Sequence, residues 1–223
     1  SGCGNAADSG MMDAANANAV AGGSSDLPVV TWKMGSTWGD GNIHFTCDER
    51  FSELVSQLTF ESEEWKLLDA GLLSRYEANQ RMLTHAKEHD CVFEVQGVLD
   101  DWMHILRPRR KMQELVQKLK AHGYCVYYLS NIPEDVLDLL MHRDFEGLFD
   151  GGVASCEVKI NKPDPRIYQA LLDKYHLRAD ECIFIDDRAD NLVAASALGF
   201  GIYEMHNVGT LLRSLPTFGV SLH

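Results

Sequence analysis

Four apolar residues run straight into two carboxylates at Cys182-Ile183-Phe184-Ile185-Asp186-Asp187. A short apolar run flanked by polar residues suits a strand buried on both faces, as in a parallel sheet. In open α/β sheets, ligands sit just beyond the carboxyl ends of the strands, which is where Asp186 and Asp187 stand. Adjacent carboxylates repel, so the site calls for a cation: a metal ion, a lysine or an arginine. A solvated turn capping the next helix explains the same residues, so the rest of the chain must decide.

After residue 107 the pattern alternates between strand and helix. Met112, Leu115, Val116 and Leu119 form an apolar stripe closed by Gly123. Tyr124–Leu129 is a second buried strand ending at Ser130-Asn131, and Pro133 opens the helix after it. A short strand falls near Val153–Cys156, and Asp164-Pro165 supplies a cap and first position for another helix. The Asp186 strand precedes a helix from Asp190 to Leu198 with Gly199 at its end, a last strand over Gly201–Met205 and a terminal helix. The alternation predicts an α/β fold with a doubly wound, Rossmann-like parallel sheet.

The first half differs. Leu27–Trp32 reads as the first strand, ending in Lys33-Met34-Gly35-Ser36-Thr37-Trp38 and a loop to Asn42. Four helices follow without a strand signal. Asp48 caps the first, Ser62 the second, and Ser74 with Glu77 makes a capping box for the third. The fourth covers Cys91–Ile105, with Val95, Val98, Leu99 and Trp102 on one face. The expected organisation is an α/β core from 27–45 and 106–223, an all-helical cap at 46–105, and a polar stretch at 1–26 read as a disordered tail or tag remnant.

Charge and cysteine usage narrow the partners. The chain carries 33 acidic and 20 basic residues for a formal charge of −13, which disfavours nucleic acid and anionic membrane. No apolar run reaches bilayer length. None of the six cysteines lies at C-x-x-C spacing, so zinc and redox motifs have no support and a reducing cytoplasm is the expected setting. Cys125 and Cys182 are expected to act as small hydrophobes within strands.

Lys33, Ser130-Asn131, Lys162 and Asp186-Asp187 all lie at strand ends or in nearby loops, so parallel strands would gather them on one edge of the sheet. A hydroxyl, exposed N–H groups and a lysine suit phosphate, and a carboxylate pair suits Mg²⁺. In this order the sequence resembles the haloacid dehalogenase superfamily of phosphatases and related hydrolases. Tyr127-Tyr128-Leu129-Ser130-Asn131 is similar to its second motif, Asn161–Tyr168 to its third, and Phe184–Asp187 with Asn191 to its fourth. The intervals of 32 residues from Ser130 to Lys162 and 24 from Lys162 to Asp186 fit. The helical insert resembles the cap of the subclass of haloacid dehalogenases and sugar-phosphate phosphatases, and the wording of the last two motifs is close to the α-glucose-1-phosphatase branch. The resemblance implies a small phosphorylated metabolite as ligand, with Ser130, Asn131 and Lys162 on its phosphate and Mg²⁺ on Asp186 and Asp187.

The first motif departs from the family. Aligning Trp32–Thr37 with it puts Lys33 where the resemblance implies an aspartate nucleophile, and Gly35 where it implies the acid/base. An ammonium cannot form an acyl-phosphate or ligate a metal. The expectation is that Lys33 pairs with Asp186 and Asp187 in the metal's place, leaving a phosphate-binding or regulatory protein with impaired turnover. The alternative is a working Mg²⁺-dependent sugar-phosphate phosphatase or dehalogenase-like hydrolase. Val92–Asp101 mimics the first motif with Glu94 and Gln96, but its apolar residues continue at helical spacing, so it reads as the last cap helix.

Overall fold

The structure is a computed structural model that describes residues 32–33, 42–43, 49–106 and 109–222. Of the first strand expected over Leu27–Trp32, residues 27–31 lie outside these residues. Trp32–Lys33 (β1), the described end of that stretch, pairs antiparallel with Asn42–Ile43 (β2).

Four helices follow: α1 (Glu49–Leu58), α2 (Glu63–Asp69), α3 (Arg75–Glu88) and α4 (Val92–Asp101). Ser62 caps α2 by accepting from the Trp65 N–H, and Ser74 and Glu77 close a reciprocal capping box on α3. The motif mimic at Val92–Asp101 is helical, and its last expected turn tightens into a 3-10 segment at Trp102–Ile105. These helices share one apolar core with the α/β part. Met82, Ala86, Val95 and Trp102 cluster with Ile132, Val136, Leu140 and Cys156. An apolar side chain buried here contributes about 1.5–3 kcal/mol, so separating the layers carries a large cost.

The α/β part runs α5 (Arg110–Ala121), β3 (Tyr127–Ser130), α6 (Glu134–Leu140), β4 (Gly151–Ala154), α7 (Ser155–Val158), α8 (Pro165–Tyr175), β5 (Ile183–Asp186), α9 (Ala189–Ala197), β6 (Gly201–Glu204) and α10 (Val208–Ser214). Several boundaries have a local cause. Asp164 accepts from the Arg166 N–H with Pro165 at the first turn of α8, and Asn207 accepts from the Thr210 N–H to start α10. Gly123, with φ +85°, occupies the left-handed region that a turn out of α5 requires. Cys125 precedes β3 and is exposed, unlike the buried thiol expected from an earlier strand start.

β3 pairs in parallel with β4, and β5 in parallel with β6. Helices cover both faces. Phe184 joins Ile167, Tyr168 and Leu192 on one side, while Ile183 and Tyr203 pack with Leu115, Leu211 and Leu215 on the other. This is the layering of an α/β fold with helices on both faces of parallel strands. Among the described residues, β3 pairs only with β4 and β5 only with β6. A cavity of about 810 Å³ lies between the two pairs, lined by Tyr127–Ser130 on one side and Ile183–Asp186 on the other. No described helix is long and apolar enough to cross a membrane.

Candidate functional site

β3 and β5 deliver Ser130 and Asp186 from their carboxyl ends to the cavity, and the loop before α8 delivers Lys162 to the same cavity. The Lys162 ammonium donates to Asp186 Oδ2 at 2.6 Å, and the two side chains are only 10% and 5% exposed. The ammonium also lies 5.4 Å from the centroid of the Phe184 ring. Removal from water makes this pair electrostatically strong, and it makes either partner costly to leave alone.

The second carboxylate oxygen of Asp186 is also engaged. Asp186 Oδ1 accepts from the Arg188 N–H and from Asn191 Nδ2, both at 2.9 Å. Asn191 is buried, and its carbonyl accepts from the Tyr168 hydroxyl at 3.0 Å. Burial drives the Tyr168 phenol far above its usual range, and the nearby Asp186 charge pushes it the same way. Asp186 is therefore a fixed anion with a cation on one side and two N–H donors on the other. The sequence grouped Asn191 with the fourth motif without giving it a task; its position five residues after Asp186, on the first turns of α9, is the signal that it reaches back.

Asn131 ties the Ser130 strand end to Lys162. Its carboxamide brackets the Lys162 peptide, accepting from the Lys162 N–H at 2.7 Å and donating to the Lys162 carbonyl at 3.0 Å. Both polar ends of Asn131 are thereby used on the chain itself. The Lys162–Pro163 peptide is cis. Ser130 has its hydroxyl 3.5 Å from the Asn131 carbonyl, a long contact that leaves the oxygen available to a ligand in the cavity.

The acid pair is split. Asp186 is buried, whereas Asp187 is exposed. The cation found against Asp186 is Lys162, while the Lys33 side chain lies outside the described residues. Among the described residues no group of three or more His, Cys, Asp or Glu could hold a metal. Asp186 accepts from Lys162, the Arg188 N–H and Asn191, its carboxylate keeping further lone-pair capacity, and Asp187 is exposed. Mg²⁺ requires several oxygen ligands in near-octahedral array.

A family model of haloacid dehalogenase-like hydrolases matches residues 14–199. A sesquiterpene phosphatase from Aspergillus oryzae is 36% identical over 110 residues, covering 48% of this chain and 56% of its own length. (S)-2-haloacid dehalogenase 1 from Pseudomonas is 28% identical over 153 residues, covering 68% of this chain and 60% of its own. The chain thus spans little more than half the length of these two relatives. A solved haloacid-dehalogenase-family enzyme from Bacteroides thetaiotaomicron, in complex with magnesium and inorganic phosphate, superposes with a TM-score of 0.54. It is 24% identical and covers 74% of this chain and 91% of its own, which establishes a common fold. With the family model spanning most of the sequence, the chain belongs to the haloacid dehalogenase-like hydrolases.

Proposed function

We propose that this protein binds the phosphate of a small phosphorylated metabolite at Ser130 and Lys162, with turnover impaired because Lys33 stands where the family's nucleophilic aspartate is expected. The observation that carries the reading is the joint exposure of Ser130 and Lys162 to one cavity, with Asp186 holding the ammonium in place. A hydroxyl donor and a buried ammonium supply directional and charge recognition of a phosphoryl oxygen. The global charge of −13 repels anions, so this local cation is what a phosphate ligand would need.

The relatives support the class of ligand. One is a phosphatase, and the solved Bacteroides enzyme holds inorganic phosphate. By family resemblance Asp186 and Asp187 would hold Mg²⁺, and no step of the proposal runs through it. The cap at 46–105 and the core at 27–45 and 106–223 are proposed as the two lobes that enclose the metabolite. The segment carrying Lys33 is proposed to reach the cavity between β3 and β5, which is lined by residues of both strands.

The proposal is tested by calorimetric titration of inorganic phosphate into the unaltered protein and into Lys162→Ala. Saturable binding lost in the variant supports it. Equal binding by the two proteins, or none by either, removes the phosphate reading.

A further inference from the structure

The stretch from Ser155 to Lys162 is fastened to the far end of α2 by three side chains. Ser155 Oγ donates to the Asp69 carbonyl. Lys159 Nζ donates to the Gly71 carbonyl at 3.0 Å, and Asn161 Nδ2 donates to the Lys66 carbonyl at 2.7 Å. The Asp69 and Gly71 carbonyls lie at and just beyond the end of α2, where intrahelical donors run out, and the Lys66 carbonyl takes Asn161 as a second donor beside the Ala70 N–H at 3.0 Å. The three side-chain donors come from one segment, and the segment ends at the lysine that lines the cavity.

We propose that Asn161 is a positioning residue through which α2 sets where Lys162 holds its ammonium. The Lys162 peptide is gripped on one side by the Asn131 carboxamide. Asn161, directly before it in the chain, is gripped on the other side by α2. Lys162 is therefore suspended between two anchors, one on the α/β part and one on the helical part. Asn161 Oδ1 is buried and has no hydrogen-bond partner, so the bond to the Lys66 carbonyl is what orients this carboxamide. If α2 shifts, the pull passes through Asn161 to the peptide of Lys162, and the ammonium loses its register against Asp186. Ligand contacts made by the helical part would then alter anion recognition at Lys162 without touching it. That last consequence rests on the phosphate reading of the site; the positioning itself does not.

The test compares Asn161→Ala and the near-isosteric Asn161→Asp with Lys159→Ala. Lys159 makes a neighbouring contact to the same helix end but lies three residues from Lys162. Two quantities are read on protein whose circular dichroism is native. One is the acylation rate of Lys162 relative to the other lysines, by mass spectrometry at one pH. The other is the affinity for inorganic phosphate. Both Asn161 variants are expected to raise Lys162 acylation by about fivefold and weaken phosphate by a similar factor, the weight of one neutral hydrogen bond. Lys159→Ala is expected to lower Tm while leaving both quantities unchanged. Unchanged acylation in both Asn161 variants overturns the proposal, as does an equal rise in Lys159→Ala, which would make the clamp a general brace. If the unaltered protein binds no phosphate, the phosphate reading fails, and the acylation rates still decide the role of Asn161.

Discussion

Asn131 holds Lys162 by both polar groups of its main chain, accepting from the N–H at 2.7 Å and donating to the carbonyl at 3.0 Å. The residue after Ser130 is thus coupled to the lysine that shares its cavity, across 31 positions of sequence. Replacing Asn131 by Ala leaves two half-buried backbone groups to find water. A stability loss of about 1–3 kcal/mol is expected from denaturant titration, with weaker phosphate binding. Asn131→Asp keeps the acceptor and loses the donor, so it should fall between the unaltered protein and the alanine variant.

The Lys162–Asp186 pair should behave as a unit. Removing one partner strands a buried charge, so Lys162→Met and Asp186→Asn are each expected to cost about 3–5 kcal/mol. The double variant should recover a large part of that loss, because neither charge is then left unpaired. A double-mutant cycle by chemical denaturation measures the coupling. Additive losses would mean that the pair contributes little in solution.

At the seam between the helices and the α/β part, Arg75 of α3 reaches Asp135 of α6, with Nε at 2.9 Å and Nη2 at 3.1 Å from the two carboxylate oxygens. Its guanidinium lies 5.4 Å from the Trp65 ring centroid and 4.9 Å from that of Trp102. A lysine cannot reproduce both the fork and the stacking. Arg75→Lys should therefore lower stability by about 1–2 kcal/mol in thermal or chemical denaturation.

Asp69 beside this seam gives a pH dependence. Burial pushes its carboxyl up to about 7, the Arg75 guanidinium pulls it back down, and the Asp135 charge raises it. In the unfolded chain it ionises near 3.8. Between those values the folded state binds the extra proton, so stability falls as pH rises from about 4 to 7 and levels off above. Asp69→Asn should flatten that part of the Tm–pH curve. The same slope in the variant would assign the dependence to other groups.

Much of the site was legible because each motif has its own local cause. The run Ile183–Asp186 could end only at a polar edge, and Asp164-Pro165 could only start a helix. The helical reading of Val92–Asp101 followed from spacing, and its burial pattern supplies the reason: Val95, Val98 and Leu99 face the core while Glu94 stays exposed. Pair identities were not legible. Two lysines at strand ends could neutralise Asp186, and composition does not say which side chain arrives; the described partner is Lys162. Asn131 and Asn161 were readable as polar residues near a phosphate site. Their partners are backbone groups 31 and 95 positions away, which no local pattern encodes. The antiparallel pairing of Trp32–Lys33 with Asn42–Ile43 was likewise hidden, since a strand signal does not state whether its partner runs parallel or antiparallel.

On the proposed reading, Lys33 stands in the place of a nucleophile beside a pocket that binds phosphate. Hydrolysis of an aryl phosphate, with and without Mg²⁺, by the unaltered protein and by Lys33→Asp tests it most directly. Loss of a covalent nucleophile lowers turnover on the order of 10⁶-fold, so the unaltered protein should stay at background while the aspartate variant gains measurable activity. Robust turnover by the unaltered protein, abolished by Asp186→Asn and unimproved by Lys33→Asp, would contradict it.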